Sequence, residues 1–282
     1  MRTTPVGAGF GDPALAAMSG DGLPAGDQMS GARAHALEFQ RRLDESLANR
    51  AEPVDGGAAI FCDRLPRVAD LNFLRIDSAS DRIDGRALMA EADRLQAGLA
   101  HRAVRVLDAE AAPRLARDFA AAGWVLRRTA IMVQRRMFDR PVDTGAVREL
   151  TIDDVRGARL AAVRHEHRDA DVGSQVLAAG ELAADGVAPR VFGASVGGEV
   201  TAFCTLRLSG DVAKIAEAEA LSRSSGRGVG KAVIAESVLA ARRAGARLVF
   251  VEPADEDWAK WTYHRMGFDE AGKVHFFVRP WG

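Results

Sequence analysis

The second half of the chain carries the clearest periodic pattern of apolar and polar positions. Polar and apolar residues alternate over 212–221 and a short apolar run covers 247–252, so both segments are predicted strands. Helical spacing of apolar residues predicts helices over 230–244 and 256–266. Gly267 follows the second helix and suits the left-handed position that ends many helices. The pattern therefore predicts strand, helix, strand and helix in that order.

Further elements are predicted upstream of this region. Thr151, followed by Asp153 and Asp154, favours the start of a helix, because these side chains satisfy and complement its free N–H groups. Gly197-Gly198 is the strongest turn signal in the chain and predicts a hairpin. The predicted elements are a strand at 147–150, helices over 151–166 and 171–184, and hairpin strands at 190–196 and 199–208.

The chain contains an internal repeat. Residues 101–124 align without a gap to residues 245–268 at an offset of 144, which places Phe119 on Tyr263 and Gly123 on Gly267. Upstream, RALMAE at 86–91 matches KAVIAE at 231–236, and both copies continue into apolar strands at 129–133 and 274–278. A matched helix, strand, helix and strand in the same order indicates a duplication, so we predict two related units in tandem.

Composition bounds the class of protein. The formal net charge of −1 argues against a nucleic-acid or membrane-surface binder, and no apolar run approaches the roughly 18 residues of a membrane span. Cys62 and Cys204 are far apart and suggest neither a disulfide framework nor a zinc site. Residues 1–33, rich in Gly, Pro and Ala, predict a disordered tail rather than a signal peptide. We predict a cytoplasmic protein with units at 34–140 and 141–282.

A glycine-dense turn joins the predicted strand at 212–221 to the following helix. Glycines at 226, 228 and 230 open the backbone beside a helix N-terminus, which favours a bound pyrophosphate. A Walker A loop is excluded, because Ser225 stands where glycine is required and Ala232 where Ser or Thr is required. A dinucleotide fingerprint also fails, since Lys231 and Val233 occupy its last glycine position in the two possible alignments.

The remaining pattern is that of acyl-CoA binding, [Gln/Arg]xxGx[Gly/Ala], with Ser225 in place of Gln or Arg and Gly228 and Gly230 at its small positions. Downstream, WAKWTYHRMGF places Tyr263, the only tyrosine in the chain, four residues before Gly267. With both motifs in order, the chain resembles the GNAT superfamily of N-acetyltransferases. The repeat resembles the tandem arrangement also found in mycothiol synthase. The resemblance implies an α+β fold of two tandem units, each with a mixed, mostly antiparallel sheet flanked by helices.

The resemblance also implies how acetyl-CoA would be held. The backbone N–H of Leu221 or its neighbours would donate to the thioester carbonyl, the main chain of Arg223 would hold the pantetheine arm, and the amides from Arg227 onward would bind the pyrophosphate. The implied cofactor-binding residues are Leu221, Arg223, Ser225, Gly226, Arg227, Gly228, Val229, Gly230 and Lys231. The asparagine that many GNAT proteins carry early in the next helix is absent, and Asp255, Glu256 and Asp257 stand there instead.

Two carboxylates and one phenol are the candidate catalytic groups. Alternation places Glu217 and Glu219 on one strand face with Ile215. Either carboxylate would be able to accept a proton from an amine there. Because the two negative charges lie close together, the pKa of one of them would be raised, which makes it a better base. The alternative is an ion pair with an arginine such as Arg223 or Arg207. By resemblance, Tyr263 would protonate the departing thiolate; otherwise it is a core residue.

Acceptor contacts are predicted after the first helix of the second unit, where the resemblance places part of the acceptor pocket. His165, His167 and Arg168 are the candidates. The His-x-His spacing also fits a metal, but no third ligand is apparent and the implied chemistry needs none. Trp258 and Trp261 are interpreted as packing groups.

The first unit is predicted to have lost cofactor binding. Asp81-Arg82-Ile83-Asp84-Gly85 replaces the glycine-rich turn, and carboxylates at a helix N-terminus repel a pyrophosphate. Phe119 also replaces the tyrosine.

The sequence thus predicts an acetyl-CoA-dependent N-acetyltransferase that acts on a primary amine of a small molecule or protein, without a metal. The alternative is a non-catalytic acyl-CoA-binding or regulatory protein. Neither the acceptor nor an oligomeric state is indicated.

Overall fold

The computed structural model describes residues 25–80, 83–167, 169–221, 228–256 and 259–280. Within them the chain forms both helices and strands, with one 3₁₀ turn at Ala69–Leu71. The helices are α1 (Ala25–Leu47), α2 (Gly85–Leu95), α3 (Ala112–Ala121), α4 (Ile152–Glu166), α5 (Ala170–Glu181), α6 (Val229–Arg243) and α7 (Ala259–Arg265). The strands are β1 (Arg50–Val54), β2 (Gly57–Phe61), β3 (Phe73–Ile76), β4 (His101–Val106), β5 (Val125–Gln134), β6 (Val147–Leu150), β7 (Arg190–Val196), β8 (Glu199–Ser209), β9 (Val212–Ala220), β10 (Leu248–Val251) and β11 (Phe268–Pro280).

These elements confirm the α+β prediction, but the strands form one sheet rather than one sheet per unit. The sheet has eleven strands in the order β1-β2-β3-β4-β11-β5-β10-β9-β8-β7-β6. The two units exchange their last strands across the centre of this sheet. Strand β5 of the first unit pairs with β10 and β11 of the second, and β11 pairs with β4 and β5 of the first. Each unit therefore completes the sheet of the other.

The repeat is visible in the backbone. Gly123 and Gly267, which the alignment equates, both adopt positive φ angles, 75° and 81°, at the ends of α3 and α7. In the central antiparallel pair, Thr129 lies opposite Val274 and Ala130 opposite Lys273. At the repeat offset of 144, the counterparts of Thr129 and Ala130 are Lys273 and Val274, so each residue pairs next to its own counterpart. The register is that of two strands related by an approximate two-fold axis.

Helices cover both faces of the sheet. Helices α6 and α7 share a buried cluster that includes Val233, Ile215 and Tyr263, while α2 and α3 pack on Val104 and Phe277. Helices α1, α4 and α5 cover the opposite face, which completes a three-layer arrangement. Among the described helices, none is long and apolar enough to cross a membrane.

Helix α1 corrects the predicted boundary of the N-terminal tail. It begins at Ala25, so residues 25–33 are helical rather than disordered; residues 1–24 lie outside the described part of the chain. Arg33 donates to the carbonyl oxygen of Leu107 at 2.6 Å, and Phe39 packs edge-on against Phe250 of the second unit at 5.5 Å. The segment looks like a tail in the sequence because it is rich in small residues, but the following turns of the same helix bury an apolar face.

A cavity of about 820 Å³ lies between α1 and the central strands and is separate from the candidate residues. Its charged walls are paired: Arg105 lies 3.0 Å from Asp44, and Lys214 contacts Glu252. Gln40 joins the two pairs, since it donates to Asp44 and accepts from Lys214. The cavity is therefore lined by a continuous polar chain that links the two units.

Candidate functional site

The N-terminus of α6 presents free backbone donors. Gly228 is its N-cap, at φ 75°, and provides no side-chain cap. The first backbone bond of the helix runs from Ala232 to the Gly228 carbonyl at 3.0 Å. Within the part of the chain that the structure describes, the N–H groups of Val229, Gly230 and Lys231 have no hydrogen-bond acceptor. Such a helix start is an anion site, because the free donors and the helix dipole act together.

The two described glycines of this turn, Gly228 and Gly230, differ in the space around them. A Cβ atom on Gly228 would meet nothing within 4 Å, so the backbone there is open to a ligand. A Cβ atom on Gly230 would lie 3.1 Å from that of Ala220, so this glycine lets α6 start close against the end of β9. The other predicted residues of the loop, Arg223, Ser225, Gly226 and Arg227, lie outside the described residues.

Strands β9 and β10 are paired over only part of the length of β9. The two strands run parallel and pair only from Leu248–Val212 to Phe250–Lys214. Beyond Lys214, β9 continues to Ala220 along β8 without a partner in β10. The edge of β9 beyond Lys214 is therefore not paired with β10, and this unpaired stretch, here called the wedge, runs toward the N-terminus of α6.

The thioester donor, the N–H of Leu221 or of a neighbour, stays a prediction, and the strand geometry favours the neighbour. The N–H of Leu221 donates to the carbonyl oxygen of Thr201 in β8 at 2.8 Å, so it points away from the wedge. Successive N–H groups of a strand point to opposite edges. The N–H of Ala220 therefore faces the β10 side and is the donor nearest the predicted position.

A bulge in β9 corrects the predicted strand face. Glu217 has a φ angle of 49°, and the register shifts between Phe203–Glu219 and Thr205–Ala216. The additional residue places Glu217 and Glu219 on the side of α4 and α5, whereas Ile215 is buried with α6 on the other face. The two carboxylates share a face, as predicted, but Ile215 does not share it with them.

Glu217 is held by a buried arginine that sequence analysis did not identify. The Arg159 Nη2 atom donates to both carboxylate oxygens of Glu217, at 2.8 and 2.9 Å, and the Thr205 hydroxyl donates at 2.7 Å. The Arg159 side chain is only 6% exposed. The predicted partner Arg207 instead donates to the carbonyl oxygens of Leu182 and Gly180. The charge of Glu217 is thus balanced, and its oxygens are occupied.

Both carboxylates line a small cavity of about 100 Å³ between α4, α5 and the sheet. Its lining combines acidic and apolar side chains with one guanidinium: Arg159, Ala162, Val163, Glu166, Val176, Leu177, Phe203, Glu217 and Glu219. The lining thus presents the two carboxylates and several apolar side chains to the same small space. One signal in the sequence pointed to Arg159: it is the charged residue on the stripe of α4 formed by Val155 and Ala162.

The predicted acceptor residues fall outside this lining. His165 is exposed, His167 caps the end of α4, and Arg168 is not among the described residues. Glu166, between the two histidines, lines the cavity instead. Within the described ranges, no group of three or more His, Cys, Asp or Glu residues is arranged to hold a metal ion.

Tyr263 is placed inside the second unit. Its ring is 8% exposed and packs edge-on against Phe268, with 5.6 Å between ring centroids. Its role as a proton donor stays a prediction. The packing interpretation of Trp261 is wrong, since this side chain is 74% exposed; Trp258 lies outside the described residues.

A second cavity flanks the N-terminus of α6. It measures about 350 Å³ and is lined by Lys231, Arg140 and Arg265, together with one acidic residue, Asp139. Three cations beside free helix N–H groups extend the anion-binding surface beyond the backbone itself.

Asp255 occupies the region where the asparagine was expected, and its contacts are structural. Its carboxylate accepts from Lys260 at 2.8 Å and Lys273 at 2.7 Å, and only 7% of its side chain is exposed. Burial opposes ionisation, but the hydrogen bonds and charges of the two lysines outweigh it and lower the pKa of Asp255 to about 2. The carboxylate thus ties the start of α7 to β11.

This network gives a testable pH dependence. Because the pKa of Asp255 is depressed in the folded protein, its contribution is present at neutral pH and lost as pH falls from about 4 to 2. We expect Asp255→Asn to cost about 1 to 2 kcal/mol of unfolding free energy at pH 7 and less than half as much near pH 2.5, where part of the contribution is already lost. Urea unfolding at both pH values measures this difference. Asp139→Asn, at an exposed carboxylate, is the control; an equal loss at the two pH values for Asp255→Asn would contradict the assignment.

The first unit has carboxylates where the second has free donors. Asp84 caps α2 by accepting from the N–H of Ala87 at 2.7 Å, and Asp118 accepts from the N–H of Gly85 at 3.0 Å. Asp81 and Arg82 lie outside the described residues. Two donors of this helix start, the N–H groups of Gly85 and Ala87, are therefore occupied by carboxylates, which is unfavourable for a pyrophosphate.

The comparisons with known proteins agree on the fold. No protein-family model and no curated protein matches the chain. Among solved structures, a GCN5-related N-acetyltransferase from Kribbella flavida is 14% identical, with a TM-score of 0.58 over 93% of this chain and 98% of that one. A tandem GNAT protein from the clavulanic acid biosynthesis pathway is 16% identical, with a TM-score of 0.52 over 95% of this chain and 92% of that one. A conserved protein of unknown function from Staphylococcus epidermidis ATCC 12228 is 14% identical, with a TM-score of 0.61 over 83% of this chain and 94% of that one.

These matches show the fold: the chain has the fold of the GCN5-related N-acetyltransferases. More particularly, it has the tandem GNAT arrangement, in which two such units are joined in one chain.

Proposed function

We propose that the protein is an acetyl-CoA-dependent N-acetyltransferase that transfers the acetyl group directly to a primary amine. The observation that carries the proposal is the junction of β9 and α6. Free N–H groups at Val229, Gly230 and Lys231 lie at one end of the wedge, and a carboxylate-lined cavity lies across the same strand.

The residues present fit acetyl-CoA. The amides of Val229, Gly230 and Lys231 would hold the pyrophosphate, and the side chains of Lys231, Arg140 and Arg265 would meet the phosphorylated adenosine end. The pantetheine arm would lie along the unpaired edge of β9 in the wedge. There the N–H of Ala220 would donate to the thioester carbonyl and stabilise negative charge on its oxygen.

Glu219 is the proposed general base. It lines the cavity and directly precedes Ala220, whose N–H is the proposed thioester donor, whereas Glu217 lies two residues further from Ala220 along the strand. Acetyl-CoA supplies the thioester: the amine nitrogen forms the new N–C bond, the C–S bond breaks and the CoA thiol leaves. Glu219 takes one proton from the nitrogen, and Tyr263 gives one proton to the departing sulfur. Proton exchange with water then restores both side chains.

Two conservative variants test these roles. Glu219→Gln keeps the size of the side chain but removes the base, so the turnover number is expected to fall by about 100-fold or more at neutral pH. Tyr263→Phe retains the packing against Phe268 and is expected to lower turnover by roughly ten- to a thousandfold. Calorimetry should give unchanged CoA affinity for both. Glu217→Gln, which keeps the bond from Thr205, is the matched control and should have the smaller effect on the pH profile.

The decisive assay is release of CoA thiol with a panel of primary amines. Turnover with any amine, abolished by the Glu219 variant, supports the proposal. Unchanged turnover of both variants at every pH would remove their assignments and leave positioning alone as the source of catalysis. Tight CoA binding without thiol release from any amine would overturn the enzymatic function in favour of a non-catalytic acyl-CoA-binding protein.

A further inference from the structure

Helix α5 of the second unit packs against a loop of the first unit. After β2, the first unit extends a loop over residues 62–71, and its apolar side chains Cys62, Leu65 and Val68 are buried. They form one cluster with side chains of α5 and its C-cap, which are Val176, Ala178, Ala179 and Leu182. The outer face of α5 therefore packs on the other repeat.

Arg67, in the middle of this loop, fixes the opposite end of α5. Its guanidinium donates to Asp169 at 2.6 Å and to Asp171 at 2.9 Å, and its backbone N–H donates to the side chain of Gln175 at 3.0 Å. Asp169 is also the N-cap of α5, where it accepts from Val172 N–H. One arginine thus binds the capping residue and the first turn of the helix together.

The same helix forms one wall of the proposed acceptor cavity. Val176 contacts the loop of the first unit and also lines the cavity, with Leu177 beside it. The opposite walls are α4 and β9, which belong to the second unit alone. A shift of α5 relative to β9 would change the distance between this apolar wall and Glu219 without touching the α6 start.

We propose that the first unit sets acceptor specificity, with Arg67 as the positioning residue that holds α5 against the cavity. This inference rests on the proposed acetyltransferase function. The duplicated unit, whose own helix start is occupied by carboxylates, has thereby gained a role in the site of its partner unit. Arg67 touches no reacting atom; it acts through the placement of Val176 and Leu177.

Loss of Arg67 is expected to affect substrate placement more than the stability of the fold. The Arg67 side chain is 35% exposed, and ion pairs at such positions contribute little to overall stability, so its loss should leave the chain folded. Substrate placement is far more sensitive, since displacements of about 1 Å at a site can change rates by about 100-fold. Arg67→Ala is therefore expected to raise the acceptor KM by about tenfold and leave the Kd for CoA unchanged.

The experiment compares Arg67→Ala with Arg64→Ala, a matched control in the same loop whose exposed side chain forms no ion pair among the described residues. Acceptor KM, kcat and CoA Kd are measured for each, with the most active amine of the panel and with a longer homologue. Hydrogen exchange of α5 and α6 amides is followed in parallel. In Arg67→Ala we expect faster hydrogen exchange in α5 but not in α6, a raised acceptor KM and a changed preference between the two amines. Arg64→Ala should show none of these changes.

A conservative variant provides the rescue. Arg67→Lys keeps the positive charge beside Asp169 and Asp171, so its acceptor KM should lie between that of wild type and that of Arg67→Ala. Unchanged α5 exchange, or an unchanged acceptor KM and amine preference, in Arg67→Ala would overturn the proposal. A wild-type chain that turns over no amine overturns the proposed function and the specificity role with it, whereas the exchange comparison still decides whether Arg67 positions α5.

Discussion

Residues 141–282 expressed alone are expected to yield no stable monomer. In the whole chain, β11 pairs with β4 on one side and β5 on the other, and both neighbours belong to the first unit. Strand β10 would lose β5 as well, and Phe250 would lose Phe39 of α1. The fragment therefore exposes both edges of β11, one edge of β10 and an apolar face, conditions that lead to aggregation.

Fragment complementation provides the control for this prediction. Co-expression of residues 1–140 with residues 141–282 should restore a soluble one-to-one complex, because each fragment supplies the strand that the other lacks. Size-exclusion chromatography and near-ultraviolet circular dichroism would follow both samples. A soluble monomeric 141–282 fragment with cooperative unfolding and the turnover of the whole chain would show that the first unit is dispensable.

This interdependence explains which parts of the fold could be predicted from sequence. Helix α4 and the β7–β8 hairpin follow from local signals: the Thr151–Asp154 capping box is formed, and Gly197-Gly198 makes the turn. Strand exchange leaves no local trace. The periodicity of β5 and β11 identifies each as a strand but does not say which strand it will pair with, since pairing joins residues more than a hundred positions apart.

The candidate site could also be predicted only where its features depend on local sequence. The α6 start was found because glycine spacing and helix polarity are local properties. The bulge at Glu217 was missed because a glutamate, not a glycine, adopts the positive φ angle there, so the alternating sequence gives no warning. Arg159 was missed because its partner Glu217 lies 58 residues away, and Arg67 because its contacts cross between the repeats.

The carboxylates at the α2 start of the first unit suggest a substitution that would block the proposed pyrophosphate site at the α6 start of the second unit. Asp84 and Asp118 satisfy the donors of α2 with negative charge, whereas Gly228 leaves those of α6 free. Gly228→Asp would add a carboxylate to the second helix start at a position where a side chain meets no neighbour. The substitution therefore tests the pyrophosphate site by charge rather than by a clash within the protein.

Gly228→Asp is expected to weaken CoA binding at least about 100-fold, or about 2.7 kcal/mol, because the new carboxylate repels the pyrophosphate and competes for the same N–H groups. Gly228→Asn is the matched control: it has nearly the same shape, tolerates the φ angle of 75° comparably and carries no charge, so it should retain most of the affinity. Calorimetry of wild type and both variants measures affinity and stoichiometry together. One CoA per chain in the wild type, lost in the aspartate variant and kept in the asparagine variant, is the expected result. Full affinity in Gly228→Asp would place the binding site elsewhere, and two CoA molecules per wild-type chain would show that the first unit also binds CoA.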